Sequence, residues 1–157
     1  MLIPKERSAV FMLGPIDGGR KQATHSLFFG NEILCTEIIR KALGSAAKDN
    51  DEAVFELARD VIKAGVENKF RIVVNAALVD HTRRKRFTTL FPRFYHIFYI
   101  VCYKPMEERI RSSSNKSRDF HTFQERKWQS NKSDIMTGDF GLATVLIYPD
   151  DRIDVEG

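Results

Sequence analysis

Cysteine is scarce in this sequence, with two in 157 residues, Cys35 and Cys102. Neither stands at metal-ligand spacing from another ligand type, and two thiols cannot build a disulfide framework, so a zinc finger and a disulfide scaffold are set aside. Both lie in apolar stretches that read as strands, which predicts reduced, buried thiols. No apolar run approaches the roughly 18 residues that a membrane-spanning helix needs. The opening residues, Met1-Leu2-Ile3-Pro4-Lys5-Glu6-Arg7, are too charged and too short of apolar residues for a signal peptide. Repeats and internal linkers are missing as well. With 43% hydrophobic and 29% charged residues, the expectation is a single cytoplasmic globular domain over 1–157, with no membrane contact. Its size buries roughly two-thirds of the unfolded surface.

Charge is present but unevenly placed. The window 81–132 carries 13 Lys+Arg against 4 Asp+Glu, leaving 12 basic and 17 acidic residues for the rest. The net charge of +4 therefore conceals a basic half. Basic halves face phosphate on nucleotides or nucleic acid, although the same pattern also describes a solvated face.

Periodicity predicts strands alternating with helices. Ser8 to Leu13 is a continuous apolar run that fits a strand buried on both faces. Ile33-Leu34-Cys35, Phe70 to Val74, Phe94 to Cys102 and Ala143 to Tyr148 are further strands, the aromatic, β-branched Phe94 segment being the strongest. A helix is expected from Asp49, with Val54, Leu57, Ala58, Val61 and Ile62 on one face and Gly65 near its end. Others are expected over 80–91, 105–113 and 122–131, and the serine-rich stretch 112–118 as a mobile loop. Strand–loop–helix units in this order predict an α/β fold, three layers deep, with a parallel sheet covered by helices on both faces. Ligands on such sheets bind beyond the carboxyl ends of the strands, which directs attention to the residues just after Leu13, Cys35, Val74 and Cys102.

After the first of these strands comes Gly14-Pro15-Ile16-Asp17-Gly18-Gly19-Arg20-Lys21-Gln22. A phosphate-binding P-loop reads G-x-x-x-x-G-K-[ST] between strand and helix. Its backbone amides converge on phosphate, its lysine bridges the outer oxygens and its hydroxyl holds magnesium. Gly14 and Gly19 have that spacing, with Gly18 beside them. Arg20 stands where lysine belongs, and Lys21 where the hydroxyl belongs. Arginine keeps the charge but on a different stem, and lysine cannot ligate magnesium. An inward-pointing Asp17 would repel phosphate.

The stretch Ile33 to Gly44 (ILCTEIIRKALG) is similar to the S-x-D-x-I-R-x-x-L-x-G segment of polynucleotide-kinase-type P-loop kinases. Arg71 to Leu78, followed by Arg83-Arg84-Lys85-Arg86-Phe87, resembles their V-I-V-D-A-T-N-L and R-R-x-R-F element. Pro105 to Arg118 looks like their P-L-E-x-x-x-x-R helix and arginine-bearing lid. The resemblance runs from about Val10 to about Trp128 with a degenerate P-loop (Walker A) motif, and it implies a P-loop kinase-like fold with phosphoryl-transfer chemistry.

Carried over residue by residue, the resemblance puts Gly14, Gly18, Gly19, Arg20 and Lys21 at the nucleotide phosphates and Glu37 at the carboxylate that takes the acceptor proton. Arg40, on the same helical face, would bind a substrate phosphate or pair with Glu37. Asn75 replaces an aspartate at the end of the third strand. Arg111 and Arg118 are the lid candidates, in a basic lid over about 111–122. ATP is the implied cofactor; magnesium is implied too, but lacks its usual hydroxyl ligand, and no other metal site is expected. His25 comes just after the glycine loop and is a minor candidate for phosphate contact, His96 sits in a strand, and His81 and His121 lie near basic residues without metal spacing. Phe123 and Trp128 read as core or as base-stacking aromatics. Two functions are implied: a degenerate, catalytically impaired kinase-like protein that binds nucleotide, nucleic acid (through 81–132) or a protein partner, and an active ATP-dependent kinase for a nucleic-acid 5′-hydroxyl.

Overall fold

The computed structural model describes residues 1–113 and 115–157. Its strands are β1 (Leu2–Ile3), β2 (Ser8–Leu13), β3 (Ile33–Cys35), β4 (Ile72–Asn75), β5 (His96–Cys102), β6 (Ala143–Tyr148) and β7 (Asp154–Val155). The longer helices are α1 (Arg20–Leu27), α2 (Thr36–Leu43), α3 (Asp51–Glu67), α4 (His81–Thr88), α5 (Met106–Ser112) and α6 (Arg118–Met136). Five strands form a parallel sheet in the order β3-β4-β2-β5-β6, and β1 pairs with β7 in a separate two-stranded ribbon.

Strand β2 explains the layering. All six of its residues are buried, because alternate side chains enter two different cores. Ala9, Phe11 and Leu13 face a core with Ala58 and Ile62 of α3, Phe87 of α4, and Trp128 and Ile135 of α6. Val10 and Met12 face the other, with Ala23 of α1, Phe28 and Ile3. Phe11 meets Phe91 and Tyr99 edge-on, at ring-centroid distances of 5.8 and 6.0 Å, the geometry that aromatic quadrupoles favour. Helices thus cover both faces of a parallel sheet, as the strand–helix alternation predicts.

Several boundaries differ from the sequence reading for local reasons. The helix expected from Asp49 starts at Asp51, with the Asn50 side chain accepting from the Ala53 amide at 3.0 Å. Its buried stripe is Val54, Ala58 and Ile62, while Leu57 and Val61 lie on the exposed flank. Phe70 is exposed, since its amide closes a turn onto the Gly65 carbonyl and β4 starts only at Ile72. Helix α4 stops at Thr88, and α6 is longer at both ends than 122–131. Pro105 is the residue before α5, not its first. Trp128 is buried and Phe123 exposed. In the stretch 112–118, Ser114 lies outside the described residues. Its flanks are fastened: Ser117 caps α6 by accepting from the Phe120 amide, and Lys116 pairs with Asp17.

Behind the sheet, Arg84 is fully buried and grips Asp139 through both carboxylate oxygens, at 2.7 and 2.8 Å. Its remaining nitrogen donates to the Val79 and Leu78 carbonyls, and the Tyr99 hydroxyl also donates to Asp139. Burial works to raise the Asp139 carboxyl, but the hydrogen bonds from Arg84 and Tyr99 hold it below the ordinary carboxylate range. Burial likewise pushes the Tyr99 phenol well up. Removing one partner of such a pair strands the other charge. Asp139→Asn is therefore expected to cost about 3–5 kcal/mol in urea unfolding at neutral pH. Because the folded carboxyl titrates below its unfolded value, this contribution is complete above about pH 4 and fades as pH falls through the lowered folded value. The variant's acid limb should accordingly be flatter than that of the parent chain.

Candidate functional site

Parallel register brings the carboxyl ends of the strands to one edge. Asn75 pairs with Met12 on one side and Cys35 on the other, and Leu13 pairs with Val101 of β5. The glycine loop leaves β2 at this edge and feeds α1. A cleft of about 870 Å³ opens there. It is lined by the loop (Ile16, Asp17, Gly19), by Arg20 and Lys21 of α1, by Thr36, Glu37 and Arg40 of α2, by Asn75 at the end of β4, and by Lys104 and Lys116.

The loop is held in a tight, glycine-dependent backbone. Gly14 has φ +148°, and a methyl group there would lie 1.9 Å from the Cys102 carbonyl oxygen. Gly19 has φ +101°, and Asp17 is left-handed at φ 64°, an uncommon conformation for a residue with a side chain. The Gly18 amide closes a turn onto the Pro15 carbonyl at 3.0 Å. Helix α1 has no side-chain cap, so its first-turn amides keep their free hydrogens pointing out of the helix end.

The side chains at this loop differ from the P-loop pattern, with Arg20 and Lys21 at its lysine and hydroxyl positions. Arg20 is turned aside, its Nη1 donating to the Ala76 carbonyl just past β4. Burial pushes its guanidinium below the usual range, against the pull of Cys102, Cys35, Glu37 and Asp17. Burial also raises the Cys102 thiol, to about 11; this cysteine is buried, whereas Cys35 is only partly so, and both are free. Lys21 is exposed on the helix end. The Asp17 carboxylate is taken up by Lys116 Nζ at 2.9 Å. Behind it lies His121, fully buried, its Nε2 4.0 Å from Asp17 and neither ring nitrogen hydrogen-bonded among the described residues.

The candidate acceptor residues are brought to the same cleft. Glu37 is in the first turn of α2, exposed and 3.5 Å from Lys41. Arg40 does not pair with Glu37. It donates to Asp51 and, at 2.9 Å, to the Ala47 carbonyl. Asn75 is half-buried at the sheet edge. Arg111 and Arg118 are not among the residues lining the cleft; Arg118 pairs with Glu107 at 2.6 Å. His25 lines the cleft, and His96 is at the exposed start of β5, with Nε2 2.7 Å from the Thr144 hydroxyl.

Much of the basic window is internally matched. Arg83 faces Asp51, Arg84 holds Asp139, Arg86 holds Glu52, Arg109 holds Glu125 and Arg118 holds Glu107. A composition count cannot see this, because it does not say which charges meet in space. Nor does the loop's donor set suit magnesium. The Thr24 hydroxyl donates to the Arg20 carbonyl, Asp17 is held by Lys116, and the side chains at the helix start are cationic.

No family model matches the sequence, and no curated protein does. Among solved structures, a chain of the Pnkp1/Rnl/Hen1 RNA repair complex is similar at a TM-score of 0.69 and 10% identity, over 84% of this chain and 47% of that one. A second Pnkp1/Rnl/Hen1 structure gives a TM-score of 0.60 at 10% identity, over 73% and 42%. A candidate kinase from Chloroflexus aurantiacus gives 0.57 at 11% identity, over 94% and 90%. This chain thus spans less than half the length of the two RNA-repair chains it matches. Likeness at these identities is likeness of fold, and the fold is P-loop kinase-like.

The loop's geometry makes a direct prediction. Gly14→Ala forces a methyl against a backbone carbonyl and should lower stability by about 3 kcal/mol in chemical denaturation. Gly30→Ala meets nothing within 4 Å and should leave the midpoint nearly unchanged.

Proposed function

We propose that this protein is a degenerate P-loop kinase-like module, impaired in phosphoryl transfer, that binds the phosphates of a nucleotide or nucleic acid in its glycine loop. The observation that carries the reading is a contrast within one loop. Gly14 is sealed against Cys102 and the start of α1 is uncapped, which supports a retained cradle, while Arg20 is committed to the Ala76 carbonyl. A cradle of amides at a helix start suffices to bind phosphate. Transfer needs more, because catalysis of this kind is charge stabilisation at the transferring group. With the lysine, hydroxyl and aspartate positions occupied by Arg20, Lys21 and Asn75, that stabilisation is largely lost.

ATP fits as a ligand of the loop through its phosphates; it would supply the γ-phosphoryl group if transfer took place. Two observations support a nucleic-acid ligand. One is kinship of fold with a chain of an RNA repair complex. The other is the set of cations in 81–132, such as Lys127 and Lys132, that have no carboxylate partner among the described residues. A protein partner is the other use of such a module, and a cytoplasmic location accords with it.

One observation favours the active reading: Glu37 lies in the same cleft as the loop, Lys21, Arg40 and Asn75. Under it, Glu37 Oε would accept the proton of a 5′-hydroxyl as that oxygen bonds to the γ-phosphorus of ATP and the bond from that phosphorus to the β,γ-bridging oxygen breaks, releasing ADP. Arg40, freed from Asp51, would orient the acceptor, and the lid arginines Arg111 and Arg118 must swing in from where they stand.

Calorimetry and a transfer assay separate the readings. The degenerate module should bind ATP with the same affinity in magnesium and in EDTA, and transfer no labelled γ-phosphate to a 5′-hydroxyl oligonucleotide. Transfer that disappears in Glu37→Gln would establish the kinase instead. Absence of ATP binding under both conditions removes the nucleotide site altogether. Nucleic-acid binding by the basic half should weaken steeply as salt rises, which a titration between low and moderate salt measures.

A further inference from the structure

We infer that Lys104 supplies the cation that Arg20 no longer supplies, meeting the outer phosphate oxygens of a polyphosphate seated in the glycine loop. The inference rests on the phosphate-binding reading above and assigns the charge to a residue just past the end of β5, outside the loop motif.

Lys104 is in the right place. A methyl group on Gly19 would lie 3.3 Å from Lys104 Cε and 4.0 Å from its Nζ. The lysine stem thus runs over the loop at the residue whose missing side chain leaves room for it. Gly19 serves two purposes, since it also adopts φ +101°. The ammonium is delivered to the loop from across the sheet edge, where β5 ends beside β2.

The origin of that stem is fixed. The Lys104 carbonyl accepts from Arg109 Nη1 at 2.7 Å, and Arg109 Nη2 donates to Glu125 at 2.7 Å. Arg109 is fully buried, and its guanidinium lies 5.4 Å from the Tyr103 ring, which stacks on Trp128. Burial opposes ionisation of Glu125, but hydrogen bonds from Gln129, Arg109 and Tyr103 keep its carboxyl low. An ionised clamp therefore ties the backbone of residue 104 to α6. Only the four-carbon chain of Lys104 remains free to adjust, and it is half-buried in the cleft.

Its charge is also uncommitted, as is that of Lys21 at the exposed helix end, unlike the other cations around it. Lys41 stands beside Glu37, Arg40 holds Asp51 and Lys116 holds Asp17. Lys104 lines the same cleft and, among the described residues, no carboxylate is paired with it. A half-buried ammonium with no internal counter-ion, set over an amide-rich loop, complements an external anion. A phosphate oxygen requires only that a point charge stand at the right place, and a lysine meets that requirement from any chain segment that reaches it. The ligand class is a polyphosphate, either a nucleoside triphosphate or the inorganic chain alone.

The test is isothermal calorimetry of the full chain with ATP, with inorganic tripolyphosphate and with adenosine. Lys104→Met is expected to weaken ATP and tripolyphosphate by about tenfold or more, the loss of a charge-assisted contact. Lys104→Arg should recover part of this, and Lys63→Met, on the exposed face of α3, should bind as the parent does. If tripolyphosphate follows ATP while adenosine does not bind, the phosphates alone are recognised. Parent-like affinity in Lys104→Met, with the loss appearing in Arg20→Met, overturns the assignment and leaves the loop as the phosphate site. A parent chain that binds neither anion overturns the loop reading and the assignment together. Acetylation of the unmutated chain read by mass spectrometry needs no variant. Tripolyphosphate should protect Lys104 several-fold and Lys63 not at all, and equal labelling of Lys104 with and without the anion overturns the proposal.

Discussion

The contact between Gly14 and the Cys102 carbonyl is where the sheet and the candidate site become one object. At 1.9 Å from a virtual methyl, that oxygen leaves space for hydrogen only. Gly18 lies against the same carbonyl, with a methyl there 3.2 Å from it. The loop can therefore turn across the end of β5 and enter α1 with its amides at the sheet edge. Every group of interest is placed from this seam: Arg20 and Lys21 by the helix that starts there, Lys104 by the strand that ends there, and Asn75 by register with Met12. A strand order with β2 at the centre supplies neighbours on both sides.

The side chains follow a different logic from the backbone. In a loop built for transfer, charge is concentrated where the phosphoryl group passes. Here much of it is taken up in internal pairs, as Arg40 with Asp51 and Lys116 with Asp17 illustrate, and farther off Arg84 with Asp139. Such pairing makes a basic composition a weak guide to an electropositive surface. Exposed pairs such as Arg118–Glu107 add little stability. The buried Arg84 and Arg109 clamps hold α4 and α6 in place, and breaking either strands a charge in the interior.

The sheet and its helices were legible because burial on both faces leaves continuous apolar runs, and Ser8 to Leu13 and Phe94 to Cys102 are such runs. The glycine loop was legible from spacing alone. Boundaries set by a single cap, such as Asn50 before α3, lay beyond periodicity, and so did the exposure of Leu57 and Val61, which depends on how the helix is seated. The cleft residues from α2 and β4 owe their position to their places after strands. Lys104 carried a signal, since it comes just after the strongest strand at the edge where ligands collect, but a lone lysine there has no motif. His121 carried none: its burial beside Asp17 is a product of tertiary packing.

The link between Asp17 and Lys116 has an energetic corollary. On the proposed reading, a polyanion arriving at the loop finds one of the nearby lysines already spoken for. Its approach exchanges an internal ion pair for an external one, and only the difference between two similar attractions is gained. Freed of Lys116, the Asp17 carboxylate would then repel the newcomer. On that reading, the strength of the Lys116–Asp17 pair sets how much an anion gains by binding at the loop.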